Sequence, residues 1–366
     1  MNVERIKLQN FRNYREFDFT FSPGVHIFTG NNAQGKTNLL EALFLAVLGK
    51  SFRAGNDDEL IHWGLQSAKI DVDFCNLVAS HSLKLDLFRD GTRKNLLDGQ
   101  SIKKRDIVGY LNAVLFFPED LWLIKGSPAG RRRFIDFMIS QVDRKYYQDF
   151  IKFNRIVLQR NHLLKKINQQ AAKGKLLDLW DEQLITLADI IFQRRNEVLR
   201  RVSELAGQIY AKITSGVEKF SAYYSVYGQE TTEGQSYHHW YAKRVLERRE
   251  YDIRRGTTEL GPHKDDIVFL IDEHEAKFFA SQGQQRTAVL SLKLAEIEMM
   301  KQVTGEYPIL LLDDVLSELD GLRRERLIQA IDGKIQTFMT GTEKTIGLEK
   351  FSATYYTVSA GAIERV

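Results

Sequence analysis

The sequence predicts an α/β protein: a mixed β-rich half and a parallel sheet with helices, into which an α-helical hairpin is inserted. Three patterns predict this class. Apolar and polar residues alternate through much of the first hundred residues, which is the period of β-strands. Further on, apolar residues recur every seven positions, which is a helical period. In the last third, short apolar runs alternate with helical segments, as in parallel sheets.

The N-terminal part is predicted to consist mainly of antiparallel strands. Its alternating apolar residues form four groups: Ile6 and Leu8; Phe17, Phe19 and Phe21; Ile70, Val72 and Phe74; and Leu83, Leu85 and Leu87. The dipeptides at 90–91 and 98–99 are both Asp-Gly, which is typical of tight turns between strands. One helix is expected over 38–48, so a strand–loop–helix unit interrupts the strands.

A helical hairpin is predicted in the middle of the chain. One series with a period of seven contains Phe150, Val157 and Leu164, and a second contains Leu184, Ile191, Val198 and Leu205. A short polar break at 171–175 separates the two series, which indicates antiparallel helices. Arg160 and Arg195 interrupt the apolar seams, so a long regular coiled coil is not predicted. The aromatic and polar stretch 221–252 matches neither a helical nor a strand pattern, so no secondary structure is predicted for it.

The C-terminal third is predicted to hold further strands and helices. The strands are expected at 267–271, 309–312 and 337–339, and the helices at 284–303 and 322–331. Because the length suggests about two units, we expect residues 1–125 and 221–366 to form one α/β head, with a helical arm, 126–220, inserted between them. The segment after residue 346 carries no interpretable motif.

Composition excludes several classes of protein. The chain has 366 residues, of which 43% are hydrophobic and 27% charged, as in ordinary folded proteins. Its one cysteine, Cys75, excludes a disulfide framework and a zinc finger. No run approaches the roughly 18 apolar residues that a membrane span needs, and charges at the N-terminus argue against a signal peptide. A soluble, cytoplasmic protein with no membrane partner is expected.

Positive charge is concentrated in the predicted helical arm. Between positions 125 and 175, thirteen lysines and arginines accompany three acidic residues, whereas the formal charge of the whole chain is only +4. A second basic cluster contains Lys243, Arg244, Arg248, Arg249, Arg254 and Arg255. These charges fit either solvated helix faces or a surface for an acidic polymer, which would be bound through its phosphates. No helix-turn-helix or finger signature indicates that bases are read.

A phosphate-binding loop is predicted after the first apolar run of the sheet. Residues 30–37 match the motif G-x-x-x-x-G-K-[ST] in full, with an expected strand at 25–28 before them and an expected helix after them. In such loops the backbone N–H groups converge on phosphate oxygens, the lysine contacts the β/γ-phosphates and the hydroxyl contacts Mg²⁺. The predicted nucleotide-binding residues are Gly30, Asn31, Asn32, Ala33, Gln34, Gly35, Lys36 and Thr37.

Two carboxylates follow the predicted strand 309–312. Asp313 suits a second Mg²⁺ contact, together with Thr37, and Asp314 suits the orientation or deprotonation of an attacking water. An apolar strand that ends in Asp-Asp is weak evidence by itself. It gains weight from Lys36, which is predicted to be catalytic together with Asp314. The long separation of the two motifs indicates one nucleotide fold that is split by an insertion.

A third motif, Ser-Gln-Gly-Gln-Gln at 281–285, precedes a predicted long helix. Ser281 fits an ordinary N-cap, and it also fits a sensor of the γ-phosphate at a positive helix N-terminus. The order of this signature and the acidic strand is that of ABC-type ATPases. These two readings of Ser281 stay open on the local sequence.

Over essentially its whole length the chain resembles the RecF family, bacterial recombination mediators with an SMC-like ABC ATPase head. The resemblance rests on motifs more specific than the phosphate-binding loop. They are Leu-Gln-Asn-Phe-Arg-Asn-Tyr at 8–14, Phe-Pro-Glu-Asp-Leu at 117–121, Lys-Gly-Ser-Pro at 125–128 with Arg-Arg-Arg at 131–133, Gly-Pro-His-Lys-Asp-Asp at 261–266, and the segments 281–285 and 310–320.

The resemblance implies that one subunit holds an incomplete site. Two subunits would sandwich two ATP molecules, so that an ATP held by Lys36 and Thr37 of one chain is capped by the other. The capping residues implied are Ser281, Gly283 and Gln284, with Asp320 of the loop 317–320 at the same interface. Arg12 is implied to contact the nucleotide, although an ordinary surface charge explains it almost equally well.

The same resemblance implies a function and partners. ATP would close a homodimer around double-stranded or gapped DNA without reading its sequence, and slow ATP hydrolysis would release it. RecR and RecO would cooperate with the protein to load RecA. Three departures from related ATPases favour a slow switch: Asp314 replaces a common glutamate, Thr340 stands where a switch histidine is common, and 117–120 offers no glutamine as a metal contact. His263 has no predicted role.

Two other functions are compatible with a phosphate-binding loop. One is the ATPase subunit of an ABC-type transporter, and the other is a small-molecule P-loop kinase. Neither requires the helical arm or Gly-Pro-His-Lys-Asp-Asp at 261–266, and the kinase would not dimerise on nucleotide.

Overall fold

The computed structural model describes residues 1–228, 236–331, 333–341, 353–359 and 361–365. The chain forms two compact units. The first, Met1–Leu121 with Arg286–Val366, is called the head unit here, and the second, Trp122–Gln285, the arm unit. The predicted bounds 1–125, 126–220 and 221–366 remain a prediction. The compact units differ from them chiefly in the described residues 221–228 and 236–285, which pack with the arm.

The described strands and helices are as follows, in chain order. The strands are β1 (Asn2–Phe11), β2 (Tyr14–Thr20), β3 (Val25–Thr29), β4 (Ser67–Cys75), β5 (Ser80–Phe88), β6 (Arg93–Leu97), β7 (Gln100–Ser101), β8 (Ala113–Phe116), β9 (Phe220–Ser225), β10 (Asp266–Ile271), β11 (His274–Glu275), β12 (Ile309–Asp313), β13 (Thr337–Gly341), β14 (Ala353–Ser359) and β15 (Ala362–Arg365). The helices are α1 (Lys36–Leu48), α2 (Trp122–Lys125), α3 (Pro128–Val142), α4 (Arg144–Asn168), α5 (Leu177–Ile213), α6 (Tyr237–Glu247), α7 (Arg249–Arg255), α8 (Ala276–Phe279), α9 (Gln282–Thr304) and α10 (Gly321–Ile331).

The first sheet of the head unit is antiparallel, in the order β2-β1-β4-β5-β6-β7. One face of it is apolar because the side chains alternate with a period of two. Ile6, Leu8, Ile70, Val72 and Leu85 are fully buried on that face. The predicted antiparallel strands are therefore confirmed.

The second sheet of the head unit positions the candidate site. Its order is β15-β14-β3-β13-β12-β8, and all pairs are parallel except β14 with β15. The carboxyl ends of β3, β12 and β13 lie at one edge, since Asp313 pairs with Thr340 and Gly341 pairs with Thr29. The predicted parallel sheet is confirmed, whereas β14 and β15 were not predicted.

Helix α1 lies in the core of the head unit. It contacts β4 of the first sheet and β8, β12 and β13 of the second. All its residues from Leu39 to Leu48 are buried, and all of them except Glu41 are apolar, as expected for a helix that is covered on every side. The fold class is thus confirmed as α/β.

In the arm unit, α4 and α5 form the predicted hairpin, and the break near 171–175 separates them. Arg160 is buried there and forms ion pairs of 2.7 Å with Asp181 and with Asp252. Arg195 is also buried and pairs with Asp136 at 2.8 Å. The two arginines can lie within the apolar seam because carboxylates from neighbouring segments neutralise their charges.

Residues 221–252, for which no element was predicted, contribute to the arm unit. They supply most of β9, together with α6 and the start of α7. Strand β9 pairs antiparallel with β10 and also contacts α5, so both strands belong to the arm unit. Among the helices that the structure describes, none is both long and apolar enough to span a bilayer.

Candidate functional site

The loop 30–37 connects β3 to α1, as predicted. A Cβ atom on Gly30 would lie 2.3 Å from the carbonyl oxygen of Val358 in β14, so only glycine fits there. Gly35 caps the N-terminus of α1 with φ 113°, a conformation that side chains rarely adopt. Free N–H groups of the first helical turn therefore face the loop, which is the arrangement that binds phosphates.

Lys36 is buried and its ammonium group lies over the loop. The Nζ atom donates to the carbonyl oxygens of Gly30 at 2.5 Å and Asn31 at 2.9 Å. Burial lowers the pKa of Lys36, and the charges of Asp314 and Asp313 oppose that shift. Phosphate oxygens can replace these two carbonyl oxygens as partners of the ammonium group. Lys36 is therefore suited to bind the end of a triphosphate.

Thr37 and Asp313 meet at the carboxyl edge of the second sheet. The Thr37 hydroxyl donates to the Asp313 carboxylate at 2.8 Å, and the Thr340 hydroxyl donates to the same oxygen at 2.7 Å. Within the residues that the structure describes, no three His, Cys, Asp or Glu side chains are grouped as a metal site. A hydroxyl and one carboxylate nevertheless suit Mg²⁺, which is commonly held by few side chains plus substrate phosphates.

Asp314 has a left-handed backbone, with φ 54°. Its pKa is raised by burial and, to a lesser extent, by the charge of Asp313, while Lys36 opposes the rise. Aspartate and asparagine tolerate this conformation better than most residues. That gives a physical reason for the shorter carboxylate at a position where glutamate is common in related ATPases.

Arg12 is engaged in the structure rather than free at the surface. Its guanidinium forms two hydrogen bonds with the fully buried carboxylate of Glu41, at 2.9 and 2.8 Å, and donates to the carbonyl oxygen of Glu59. Ser51 also donates to Glu41. This bidentate ion pair neutralises the buried charge of Glu41, and the sequence analysis did not predict it. The contact of Arg12 with a nucleotide remains a prediction.

The signature residues begin α9. The backbone N–H of Gln284 donates to the Ser281 hydroxyl at 3.2 Å, and the Gln284 side chain accepts from the Ser281 N–H at 2.8 Å. This reciprocal pair is a capping box, so Ser281 serves as an N-cap. Ser281 is exposed and Gly283 is half-buried. Their capping of a partner's nucleotide stays a prediction.

Asp320 precedes α10. It accepts a hydrogen bond from the N–H of Arg323 at 3.0 Å and forms an ion pair with that arginine's side chain. In the same loop, Glu318 pairs with Arg286 of α9 at 2.7 Å. The structure thus places Asp320 at a helix N-terminus within the head unit.

A buried cluster beside the loop 117–120 was missed by the sequence analysis. Lys293 of α9 donates to the carbonyl oxygen of Leu115 at 2.7 Å and lies 3.3 Å from Asp120 and 3.7 Å from Glu296. Burial raises the pKa of Glu296 to about 7 and also raises that of Asp120. The available signal was a Lys and a Glu three positions apart on a mostly apolar helix.

The Gly-Pro-His-Lys-Asp-Asp motif belongs to the interior of the arm unit. The carbonyl of Pro262 accepts from Arg195 at 2.5 Å, and Asp266 pairs with Arg131 at 2.7 Å. His263 lies 2.9 Å from the carbonyl oxygen of Thr258, and burial lowers the pKa of His263 to about 4. These contacts join three parts of the arm, so the motif has a clear structural role.

The predicted basic excess is partly internal to the arm unit, so part of it fits neither a solvated helix face nor a surface for an acidic polymer. Arg131 and Arg249 pair with Asp266 and Asp181, at 2.7 and 2.6 Å, and Arg160 is buried as described above. These arginines are bound by carboxylates of the same chain. They hold the fold together and are not available to an external polymer.

Other cations of the arm are exposed, and four of them lie at the ends of two adjacent helices. Lys165 and Lys166 lie at the end of α4, and Arg254 and Arg255 lie at the end of α7, which packs against α4. Gly256, just after α7, lies against the Lys165 side chain. We call these four residues the basic arm surface.

Comparison with known proteins agrees with this fold and loop. The RecF/RecN/SMC N terminal domain family matches residues 2–359. The DNA replication and repair proteins RecF of Halalkalibacterium halodurans and Listeria monocytogenes serotype 4b are each 40% identical to this chain, with complete coverage of both chains. A solved structure of the recombination mediator protein RecF with ATP, in the RecFOR pathway, superposes with a TM-score of 0.91 at 31% identity, covering 100% of this chain and 97% of that one.

A more distant likeness extends to SMC proteins. The SMC head bound to the C-winged helix domain of ScpA superposes with a TM-score of 0.57 at 17% identity, covering 100% of this chain and 97% of that one, which supports the fold alone. The sheets, the phosphate-binding loop and the acidic strand therefore define an SMC-like P-loop head. Within that class, the chain belongs to the RecF family.

Proposed function

We propose that this protein binds ATP and Mg²⁺ in its head unit and acts in DNA replication and recombinational repair. The observation that supports this most strongly is the 2.8 Å contact between Thr37 and Asp313, next to Lys36 of the phosphate-binding loop. Relatives named DNA replication and repair protein RecF, and a RecF structure with ATP, support the same function. Family membership favours it over the transporter and kinase alternatives.

In this proposal the residues of the loop have separate roles. Lys36 neutralises the β/γ-phosphates, and the backbone N–H groups of the loop bind the remaining oxygens. Thr37 and Asp313 hold Mg²⁺, which supplies charge neutralisation at the phosphates. Asp314 orients the attacking water, and its raised pKa makes it a better proton acceptor than an ordinary aspartate. The resulting ATP hydrolysis is slow and serves as a switch.

A second copy of the chain completes the site. Ser281, Gly283 and Gln284 lie at the start of α9, where the helix dipole favours negative charge, and Ser281 is exposed. We assign these residues to the ATP held by the partner subunit, with Asp320 at the same interface and Arg12 near the nucleotide. An ATP-dependent homodimer follows from this assignment.

The basic arm surface is proposed to contact DNA phosphates. Four exposed cations on two adjacent helices provide affinity without sequence preference, because they do not read base edges. ATP closes the dimer on double-stranded or gapped DNA, and hydrolysis releases it. By the family resemblance, RecR and RecO act with the protein to load RecA.

The nucleotide assignment is tested with Lys36→Met and a matched control, Lys94→Met, at an exposed lysine of β6. Titration with a fluorescent ATP analogue in the presence of Mg²⁺ should show affinity at least 100-fold weaker for Lys36→Met, and wild-type affinity for the control. Equal binding by wild type and Lys36→Met would refute the role of the loop.

The DNA assignment is tested with the double variant Lys165→Gln/Lys166→Gln. Binding to labelled gapped duplex is measured with ATP, with ADP and without nucleotide, at several salt concentrations. ATP should strengthen wild-type binding. The variant should make the plot of log K against log salt less steep by about 2 for each subunit that contacts the DNA, one for each lost phosphate contact. If the slope and the affinity are both unchanged, these lysines do not contact DNA.

A further inference from the structure

Two carbonyl groups of the phosphate-binding loop are bound from outside the loop. The Gln34 carbonyl accepts from the side-chain amide of Asn13 at 2.8 Å and from the N–H of Gly361 at 3.2 Å. The next carbonyl, of Gly35, accepts from the Tyr14 hydroxyl at 3.0 Å. The donors are Asn13 in the turn between β1 and β2, Tyr14 at the start of β2, and Gly361 just before β15.

These bonds fix the direction of the N–H groups that follow. In a trans peptide, the C=O of one residue and the N–H of the next point in opposite directions. A Gln34 carbonyl held outward therefore aims the N–H of Gly35 inward, and a Gly35 carbonyl held outward does the same for the N–H of Lys36. Both are N–H groups of the loop that a phosphate is proposed to contact.

The three donor residues are themselves held in place. The side chain of Asn13 accepts from the amide of Asn38 at 2.8 Å. Tyr14 is fully buried, and burial raises the pKa of its hydroxyl, which stays protonated and able to donate at neutral pH. Gly361 has φ 81°, and a Cβ there would lie 2.7 Å from the carbonyl oxygen of Asn13. Gly361 therefore has no room for a side chain.

We propose that Asn13, Tyr14 and Gly361 are positioning residues for nucleotide binding, which orient the Gln34–Gly35 and Gly35–Lys36 peptides toward the phosphates. We call them the loop brace. This role accounts for the Asn-Tyr pair that ends the N-terminal motif, and it assigns a role to Gly361, in the C-terminal segment that carries no interpretable motif. The inference rests on the proposed binding of ATP at the loop.

The test uses Tyr14→Phe, Asn13→Leu and Gly361→Ala. Tyr14→Phe removes only the hydroxyl, and Asn13→Leu removes the amide at similar size. The matched control for Gly361→Ala is Gly99→Ala, because Gly99 has φ 79° and open space around its Cβ position. Both glycine variants carry the same backbone strain, but only Gly361→Ala disturbs the loop brace.

Two readouts distinguish positioning from general destabilisation. The first is the dissociation constant of a fluorescent ATP analogue, and the second is its displacement by inorganic tripolyphosphate, which has no base or sugar. We expect affinity for both ligands to fall about five- to tenfold in Tyr14→Phe and Asn13→Leu, as for loss of one hydrogen bond. The nucleotide-free melting temperature of Tyr14→Phe should stay near that of wild type.

Each outcome bears on one claim. If wild type binds ATP, Lys36→Met does not, and the brace variants bind within twofold of wild type, the loop brace is wrong while the proposed function stands. Weaker ATP binding with unchanged tripolyphosphate affinity also overturns the positioning of the phosphates. If wild type itself binds no ATP, both proposals fail. Should Gly361→Ala not fold, Tyr14→Phe still decides.

Discussion

The hydroxyl of Thr37 lies 2.8 Å from the carboxylate of Asp313, a residue 276 positions further along the chain. Parallel pairing of the strands brings the two together, since β3, β13 and β12 are neighbours and end at the same edge. The ligands proposed for Mg²⁺ thus come from opposite ends of the sequence. The site therefore depends on the parallel pairing of β3, β13 and β12.

Removal of the Thr37 hydroxyl should weaken the dependence of ATP binding on Mg²⁺. Thr37→Ala deletes a proposed ligand, whereas Thr37→Ser retains the hydroxyl and serves as the control. Calorimetric titration with and without Mg²⁺ should show affinity about tenfold weaker for Thr37→Ala only when Mg²⁺ is present. An equal loss in both conditions would mean that Thr37 acts through packing rather than through the metal.

Asp314→Asn should separate ATP binding from hydrolysis. Asparagine also tolerates the left-handed backbone at φ 54°, so the fold of the loop is preserved. Loss of the carboxylate should lower the rate of phosphate release about 100-fold or more, with ATP affinity within threefold of wild type. Asp272→Asn, at φ 47° in the arm unit, is the control for the backbone conformation. Wild-type turnover by Asp314→Asn would exclude the proposed role.

Arg160→Met should strongly destabilise the arm unit. The substitution leaves the buried carboxylate of Asp252 without its ion-pair partner, whereas Asp181 keeps Arg249, and the loss of a partner of a buried charge typically costs about 3–5 kcal/mol. Arg155→Met, at an exposed position of the same helix, should change the free energy of unfolding by less than about 0.5 kcal/mol. Urea denaturation followed by circular dichroism measures both. A loss below about 1 kcal/mol for Arg160→Met would contradict the role assigned to this network.

His263 should make stability depend on acidity. Burial lowers its pKa to about 4 in the folded chain, whereas the pKa in the unfolded chain is about 6.5. Between these two pH values the unfolded chain binds a proton at His263 and the folded chain does not. The free energy of unfolding is therefore unaffected by His263 above pH 6.5. It falls as the pH falls from 6.5 toward 4, by up to about 3 kcal/mol in total. Denaturation of wild type and His263→Gln at several pH values should show a shallower acid loss in the variant. Parallel curves would contradict burial of a neutral histidine.

Much of the head unit was predictable from the sequence because its signals are local. The phosphate-binding loop is a contiguous motif, and the alternation of strands and helices predicts a parallel sheet whose ends meet. The meeting of Thr37 and Asp313 followed from that order. The helical hairpin was predictable for the same reason, since the period of its apolar residues lies within each helix.

What the sequence could not predict depends on contacts between distant residues. Arg160 interrupts an apolar seam, and its partners Asp181 and Asp252 are identified only by the packing of three helices. Arg12 gave no sign of its pairing with Glu41. Strands β14 and β15 carry no motif, and their importance comes from where they lie beside the phosphate-binding loop. The same packing showed which of the predicted basic residues are internal.

The most direct test of the account is the mass of the protein in solution with ATP and Mg²⁺, measured by light scattering on Asp314→Asn, which should retain bound ATP. A dimer is predicted with ATP and a monomer with ADP, and adding Ser281→Arg should restore the monomer while ATP still binds. A monomer that binds ATP without associating would contradict the central claim that two head units share the nucleotide. A dimer that persists with Ser281→Arg would show that the signature residues 281–285 do not lie at the interface.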